Sequence, residues 1–140
     1  MNIDKVLVAY DGSEESEKAY EMGLDLCSKY SAEMIVVSVA RPPEPHTAVE
    51  TQATLGETSA YYRDRFRVIK HKAKTTGIEP RFEIKVGHPA EQIVLLANRE
   101  KVPMIVIGHR GAGGFLQRWR LGSIARRVQD YAQCTVVVVR

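Results

Sequence analysis

The chain has 140 residues, of which 44% are hydrophobic and 26% are charged, and its formal net charge is +3. This length matches one domain on the usual scale of roughly 100–200 residues per domain, so we expect residues 1–140 to form a single unit. Both composition fractions are close to globular averages, which excludes a disordered or fibrous chain. The small net charge by itself gives no indication of nucleic-acid binding.

Uninterrupted apolar runs are short. Runs such as Met104–Ile107 and Val136–Val139 span only a few residues, whereas a membrane-spanning helix needs about 20 apolar residues. The start of the chain, Met1–Lys5, has neither the basic region nor the apolar stretch of a signal peptide. We therefore expect a cytoplasmic protein without a membrane segment.

The first predicted elements are a strand, a helix and a second strand. Lys5–Tyr10 is almost continuously apolar, as in a parallel strand covered on both faces. Apolar residues then recur at three- and four-residue spacing from Ala19 to Tyr30, which predicts a helix capped by Ser13 or Ser16. The second strand is predicted at Met34–Val39, with Val39 as its last residue.

Residues 41–56 break this rhythm, because they contain several prolines and no apolar period. We predict a mobile loop there, followed by a helix with core positions from Tyr62 to Ala73 that ends near Gly77. The third strand, Arg81–Val86, alternates polar and apolar residues, which favours a sheet edge with one solvated face.

The last part of the chain repeats the pattern. Pro89 suits the first position of a helix that runs to at least Ala97. A fourth strand at Met104–Ile107, a helix with apolar positions from Ile124 to Ala132, and a fifth strand at Thr135–Val139 follow. Strands that alternate with helices predict an α/β domain with an open five-stranded parallel sheet and helices on both faces.

In such sheets, ligands bind beyond the carboxyl ends of the strands. The first strand is followed by Asp11, Gly12 and Ser13. Asp11 has two interpretations: it is a turn and capping residue, or it contacts a ribose hydroxyl or a phosphate-bound Mg²⁺.

The glycine-rich residues 108–114 follow the fourth strand, and Gly122 and Ser123 open the last helix. Such backbone can form an anion-binding concavity, and a helix N-terminus suits a phosphate. Arg110 could add a counter-charge. The segment matches neither the Walker loop nor the dinucleotide fingerprint, and a plain flexible connection remains the alternative.

Catalytic signals are weak. The histidines, at positions 46, 71, 88 and 109, are scattered and show no metal-ligand spacing. We interpret His109 as an exposed loop residue. Cys27 and Cys134 are both interpreted as unpaired, buried residues in apolar surroundings. No catalytic residue and no metal site of the protein's own are predicted, so at most slow hydrolysis of a bound di- or triphosphate is expected.

The charge distribution suggests one other function. Five arginines and no acid lie between residues 110 and 127, and Trp119 stands between Arg118 and Arg120. An aromatic residue between cations occurs on nucleic-acid surfaces. Since no nucleic-acid-binding motif accompanies it, we do not expect nucleic-acid binding.

Taken together, these motifs resemble the universal stress protein family. The resemblance covers the whole chain and rests on Asp11-Gly-Ser after the first strand, Gly108-x-x-Gly111, Gly122-Ser123, and the short apolar C-terminal strand. It implies a sheet ordered 3-2-1-4-5 and, for the ATP-binding branch, Gly-x-x-Gly followed after nine residues by Gly-Ser or Gly-Thr. Here ten residues, Ala112–Leu121, separate the two parts, so the spacing is one residue longer.

The resemblance also implies the function: a stress-response protein that binds ATP, ADP or AMP, with Mg²⁺ near Asp11, and acts as a nucleotide-dependent regulator. The implied nucleotide-binding residues are Ala9, Tyr10 and Asp11 on the adenosine side, Val39 at the adenine, Ile107, Gly108, Arg110 and Gly111 at ribose and phosphates, and Gly122, Ser123 and Ile124 at the phosphates. It further implies a homodimer formed through Val136–Val139, which fits an apolar edge strand that needs a cover. The alternative is a dimeric interaction module of the same fold that binds no nucleotide.

Overall fold

A computed structural model describes residues 1–43, 48–110 and 121–140. The strands are β1 (Lys5–Ala9), β2 (Glu33–Ala40), β3 (Arg81–Val86), β4 (Met104–Gly108) and β5 (Thr135–Val139). They form one sheet in the order β3-β2-β1-β4-β5, and every pair is parallel. The predicted five-stranded sheet and its strand order are thus confirmed, with β3 at one edge.

The helices are α1 (Glu14–Tyr30), α2 (Ala48–Ala73), α3 (Pro89–Glu100) and α4 (Ser123–Tyr131), and a 3-10 turn at Lys74–Thr76 follows α2. Ser13 caps α1, because its side chain accepts a hydrogen bond from the Ser16 amide. Pro89 occupies the first turn of α3, where a missing N–H costs nothing. None of the helices among the described residues is long and apolar enough to cross a membrane.

One expectation about α2 is wrong. The predicted loop 41–56 is already helical from Ala48 onwards. The buried residues of α2 all lie in its second half, from Tyr62 to Ala73. The first half therefore contacts little of the core and has no apolar period that a sequence reading could detect.

Two apolar layers cover the two faces of the sheet. Alternation along β1 sends Val6 and Val8 to the layer beneath α1 and α2, and Leu7 and Ala9 to the layer beneath α3 and α4. All four of these side chains are buried. Continuous apolar strands thus meet helices on both sides, as a doubly wound parallel sheet requires.

Of the three strands that lead to the predicted site, β1 ends at Ala9, one residue earlier than predicted, and the other two run one residue further than predicted. β2 ends at Ala40 and β4 ends at Gly108. Both cysteines are free; Cys27 is buried as predicted, while Cys134 is only half-buried.

Candidate functional site

The turn after β1 is held by its own side chains. The Asp11 carboxylate oxygen Oδ1 accepts a hydrogen bond of 2.9 Å from the Ser13 amide. Gly12, between them, has φ +84°, a conformation that L side chains rarely adopt. The turn interpretation of Asp11 is therefore confirmed, and this turn places its carboxylate at the carboxyl end of the sheet.

A second polar segment follows β4, beside this turn. The His109 amide donates to the Val139 carbonyl at 2.6 Å, and the His109 carbonyl accepts from the Gly122 amide at 2.8 Å. A Cβ at Gly122 would lie 3.2 Å from both the Arg110 Cα and the His109 carbonyl oxygen. Helix α4 consequently begins directly against the end of β4.

The start of α4 presents hydrogen-bond donors. Its N-cap is Gly122, which has no side-chain acceptor, and the first bond within the helix runs from the Arg126 amide to the Gly122 carbonyl. The amides of Ser123, Ile124 and Ala125 thus have no partner inside the helix. Together with the positive end of the helix dipole, such donors favour an anion.

The first turn of helix α1 packs against the end of β4, next to the start of α4. A Cβ at Gly108 would lie only 3.0 Å from the backbone carbon of Glu15, so the absence of a side chain permits this approach. The Glu15 carboxylate accepts a hydrogen bond from the Arg110 amide. We use the name strand-end site for the Asp11–Ser13 turn, residues 108–110, Glu15 and the start of α4.

Most of the predicted apolar site residues turn their side chains into the core. The side chains of Ala9 and Ile107 are buried in the layer beneath α3 and α4, and Val39 and Ile124 pack half-buried against it. These residues would therefore contact a ligand mainly through their backbone atoms or through the exposed parts of their side chains. Gly111 lies outside the described residues, as do residues 118–120 of the arginine cluster.

Tyr10 points to the opposite layer, where it joins α1 to α2. Its hydroxyl donates to the Glu17 Oε1 at 2.5 Å, and Arg65 of α2 donates to the same carboxylate. Burial raises the pKa of Glu17, but the hydrogen bonds from Tyr10 and Arg65 outweigh it and the net pKa is lowered. The pKa of Tyr10 is raised, first by burial and then by its bond to Glu17. The carboxylate is therefore fixed in its charged form and Tyr10 in its neutral form.

Three residues that lie around the Asp11–Ser13 turn were not predicted as part of the site from the sequence. The Ser38 hydroxyl donates to the Tyr10 carbonyl at 2.6 Å. From α2, the Tyr61 hydroxyl lies so close to Gly12 that a Cβ there would be 2.3 Å from it. Burial raises the pKa of Tyr62, and the charge of Asp11 adds to the effect. No local signal pairs these residues with the turn, since they lie far from it along the chain.

The expectation for His109 is wrong, because its exposure is only 3%. Its two backbone hydrogen bonds, to β5 and to α4, hold it within the layer of the sheet. Among the described residues, no group of three or more His, Cys, Asp or Glu residues could hold a metal ion. His88 is the N-cap residue of α3, and its Nε2 is 2.7 Å from Arg127 Nη1.

The sequence also matches a known protein family. The model of the universal stress protein family matches residues 2–140. This chain belongs to the universal stress protein family. A curated relative, universal stress protein YxiE of Bacillus subtilis, is 30% identical over 151 aligned positions, covering 98% of this chain and 99% of the relative.

Solved structures of universal stress proteins share the fold. UspA from Lactobacillus plantarum superposes with a TM-score of 0.91 at 23% identity, covering 100% of this chain and 99% of that one. Two more distant neighbours are complexes with nucleotides. A universal stress protein with bound cAMP has a TM-score of 0.68 at 22% identity, covering 100% of this chain and 99% of that one. The universal stress protein from Archaeoglobus fulgidus with bound dAMP has a TM-score of 0.66 at 20% identity, covering 100% of both chains. Some universal stress proteins thus bind adenine nucleotides.

Proposed function

We propose that this protein binds ATP at the carboxyl ends of β1, β2 and β4 and acts in the cytoplasm as a nucleotide-dependent regulator. The observation that carries the proposal is the hydrogen bond of 2.8 Å from the Gly122 amide to the His109 carbonyl. It brings the donors at the start of α4 to the strand ends where the Asp11 carboxylate lies. Hydrogen-bond donors for a phosphate and an acceptor for a ribose hydroxyl are thereby supplied at the carboxyl end of the sheet.

The proposed roles follow the polarity of each position. Asp11 accepts from a ribose hydroxyl, and the backbone of Val39 meets the adenine. Backbone amides at the start of α4 and the Ser123 hydroxyl hold phosphates. The remaining proposed contacts are Ala9 and Tyr10 beside adenosine, Ile107, Gly108, Arg110 and Gly111 beside ribose and phosphates, and Ile124 at the phosphates.

The residues present fit an adenine nucleotide better than a metal of the protein's own. The described residues lack a metal-ligand cluster, so Mg²⁺ would arrive on the phosphates and lie near Asp11. ADP and AMP offer the same adenosine contacts with fewer phosphates. The nucleotide-bound members of the family, with cAMP and dAMP, support this ligand class.

Calorimetric titration with ATP, with and without Mg²⁺, tests the proposal. We expect saturable binding of about one nucleotide per chain. Gly122→Val should weaken it at least tenfold, because the added side chain meets the Arg110 Cα and the His109 carbonyl. Gly77→Ala is the control: it strains a backbone with φ +75° in open space at the other end of the sheet, so it lowers stability without changing affinity.

Equal ATP affinity of wild type and a folded Gly122→Val would contradict the site assignment. A complete lack of binding, after bound nucleotide from expression has been excluded, would favour a dimeric interaction module of the same fold. The spacing of ten residues between Gly111 and Gly122 is the feature that favours this second candidate. Sustained Mg²⁺-dependent phosphate release would instead indicate a weak ATPase.

A homodimer through β5 is part of both candidates. The strand lies at the edge of the sheet, beyond β4. Val136–Val139 remain only half-buried in the single chain. An apolar edge strand is commonly paired or covered, and a second copy would do both.

A further inference from the structure

Besides the Asp11 carboxylate, the strand-end site holds a second negative group of the chain itself. The backbone amide of Arg110, in the glycine-rich segment after β4, donates to the carboxylate of Glu15. Glu15 lies in the first turn of α1 and its side chain is half-buried. A carboxylate oxygen therefore occupies a donor that would otherwise be available to an anionic ligand.

The backbone packing fixes this contact. Gly108 has no Cβ, so the first turn of α1 approaches the end of β4 to within contact of the Glu15 backbone. Residue 110 then stands two positions further along, within reach of the Glu15 side chain. The contact joins groups 95 positions apart in the sequence, and it depends on the docking of α1 against β4.

The carboxylate also lies beside the donors of α4. A Cβ at Gly122 would be 3.2 Å from the Arg110 Cα, so residues 110 and 122 have their backbones in contact. Glu15, bound to the Arg110 amide, is thus close to the N-terminus of α4, where the proposed phosphates bind. Two like charges about 4 Å apart in water repel enough to weaken binding about fivefold, and they repel more strongly where water is partly excluded.

We propose that Glu15 is a specificity-determining residue, which selects against ligands with uncompensated phosphate charge. This inference rests on the proposed binding of an adenine nucleotide at the strand-end site. Each additional phosphate charge is repelled by the Glu15 carboxylate or must displace it from the Arg110 amide. The site therefore accepts Mg²⁺-paired ATP or a nucleoside monophosphate more readily than metal-free ATP.

Glu15→Gln tests this inference, because glutamine keeps an oxygen acceptor for the Arg110 amide and removes the charge. The affinities of adenosine, AMP and ATP are measured by calorimetry, with ATP in the presence of either Mg²⁺ or a chelator. We expect metal-free ATP to bind at least fivefold tighter to the variant, AMP about twofold tighter, and adenosine equally. The gain for ATP should shrink at 1 M salt, where the screening length falls to about 3 Å.

Glu14→Gln is the matched control. Glu14 precedes Glu15, has 89% of its side chain exposed and pairs with Lys18 at 4.0 Å, so its removal changes net charge equally. We expect its nucleotide affinities to stay within twofold of wild type. Equal gains in both variants would show a general charge effect and overturn the inference.

The outcomes separate the two proposals. If wild type binds ATP and Glu15→Gln leaves the ratio of ATP to adenosine affinity unchanged, the role of Glu15 is refuted while nucleotide binding stands. If neither protein binds any of the ligands, nucleotide binding fails and the inference fails with it. Binding of metal-free ATP by the variant alone would support both.

Discussion

At the scale of single residues, three close backbone approaches shape the strand-end site. Gly12 faces the Tyr61 hydroxyl, Gly108 faces the backbone of Glu15, and Gly122 faces Arg110. Only Gly12 among these has a positive φ. Gly12 is required both for its backbone conformation and because a Cβ would be too close to Tyr61. Gly108 and Gly122 are required only because a Cβ would be too close to the neighbouring backbone.

Gly12→Ala should lower the free energy of unfolding by more than Gly77→Ala does. Both substitutions place alanine at a positive φ, which costs about 1–2 kcal/mol, but the Cβ at residue 77 meets open space whereas the Cβ at residue 12 displaces Tyr61. We expect an excess of about 0.5–1 kcal/mol in urea unfolding, which Tyr61→Ala in the same chain should remove. An excess that persists without the tyrosine ring would contradict this contact.

At the scale of elements, the Glu17 carboxylate connects α1 to α2 and to the residue after β1. It receives hydrogen bonds from Tyr10 and Arg65, and it pairs with Lys72 at 3.5 Å. Since α2 also carries Tyr61, this cluster determines how α2 lies over the Asp11 turn. The sequence gap of 48 positions between Glu17 and Arg65 makes it a tertiary contact.

Arg65→Gln should destabilise the protein by about 1–2 kcal/mol at pH 7, the range for a hydrogen bond to a charged group after allowance for partial exposure. The folded pKa of Glu17 is lowered, so its stabilisation is present above the unfolded pKa of about 4.3 and is lost as the pH falls through the folded value. The cost of the substitution should therefore shrink in denaturant unfolding below about pH 4.

Arg67→Gln provides the control on the same helix. Arg67 pairs with Asp64 at the surface, with 76% and 71% of the two side chains exposed. We expect a change within about 0.5 kcal/mol at either pH. A cost for Arg65→Gln that is no larger, or that does not depend on pH, would show that Glu17 does not hold α2 in place.

Features that depend on local apolar patterns could be predicted from the sequence, whereas features that depend on contacts between distant parts of the chain could not. Strands such as β4 and β5 were recognisable because apolar runs bounded by polar residues leave few other structures. The first half of α2 was missed because its side chains contact little of the core. His109 was misjudged because its burial depends on hydrogen bonds to Val139 and Gly122, which lie elsewhere in the sequence. Glu15 and Tyr61 reach the site through helix packing, which no local pattern encodes.

At the scale of the whole molecule, the two ends of the sheet differ in their chemistry. The amino ends of the strands carry a network of ion pairs, in which Arg81 contacts Glu100 at 2.5 Å and Lys5 contacts Glu33 at 3.9 Å. The carboxyl ends carry the Asp11 turn and the helix start. Ligand binding is thus proposed at one end, while the other end is held by paired charges.

The proposed dimer is tested by sedimentation velocity. Wild type should sediment as a dimer at micromolar concentrations, and Val137→Lys on the edge strand β5 should shift it to monomer. Val68→Lys on α2, where valine is 52% exposed, is the control for an added surface lysine and should remain dimeric. A wild type that is monomeric at all concentrations would contradict the dimer even if Val137→Lys failed to fold.

The hydrogen bond between His109 and Gly122 also bears on how this chain tolerates insertions. It joins the two ends of the segment between them, so one cost of a different segment length is the entropy of closing the chain. That cost grows only logarithmically, and one added residue in a loop of about a dozen changes it by less than about 0.1 kcal/mol. The entropy of chain closure therefore puts little constraint on the number of residues between the two glycine motifs. Evolution, or a protein engineer inserting a peptide there, could vary it while the start of α4 stays in place.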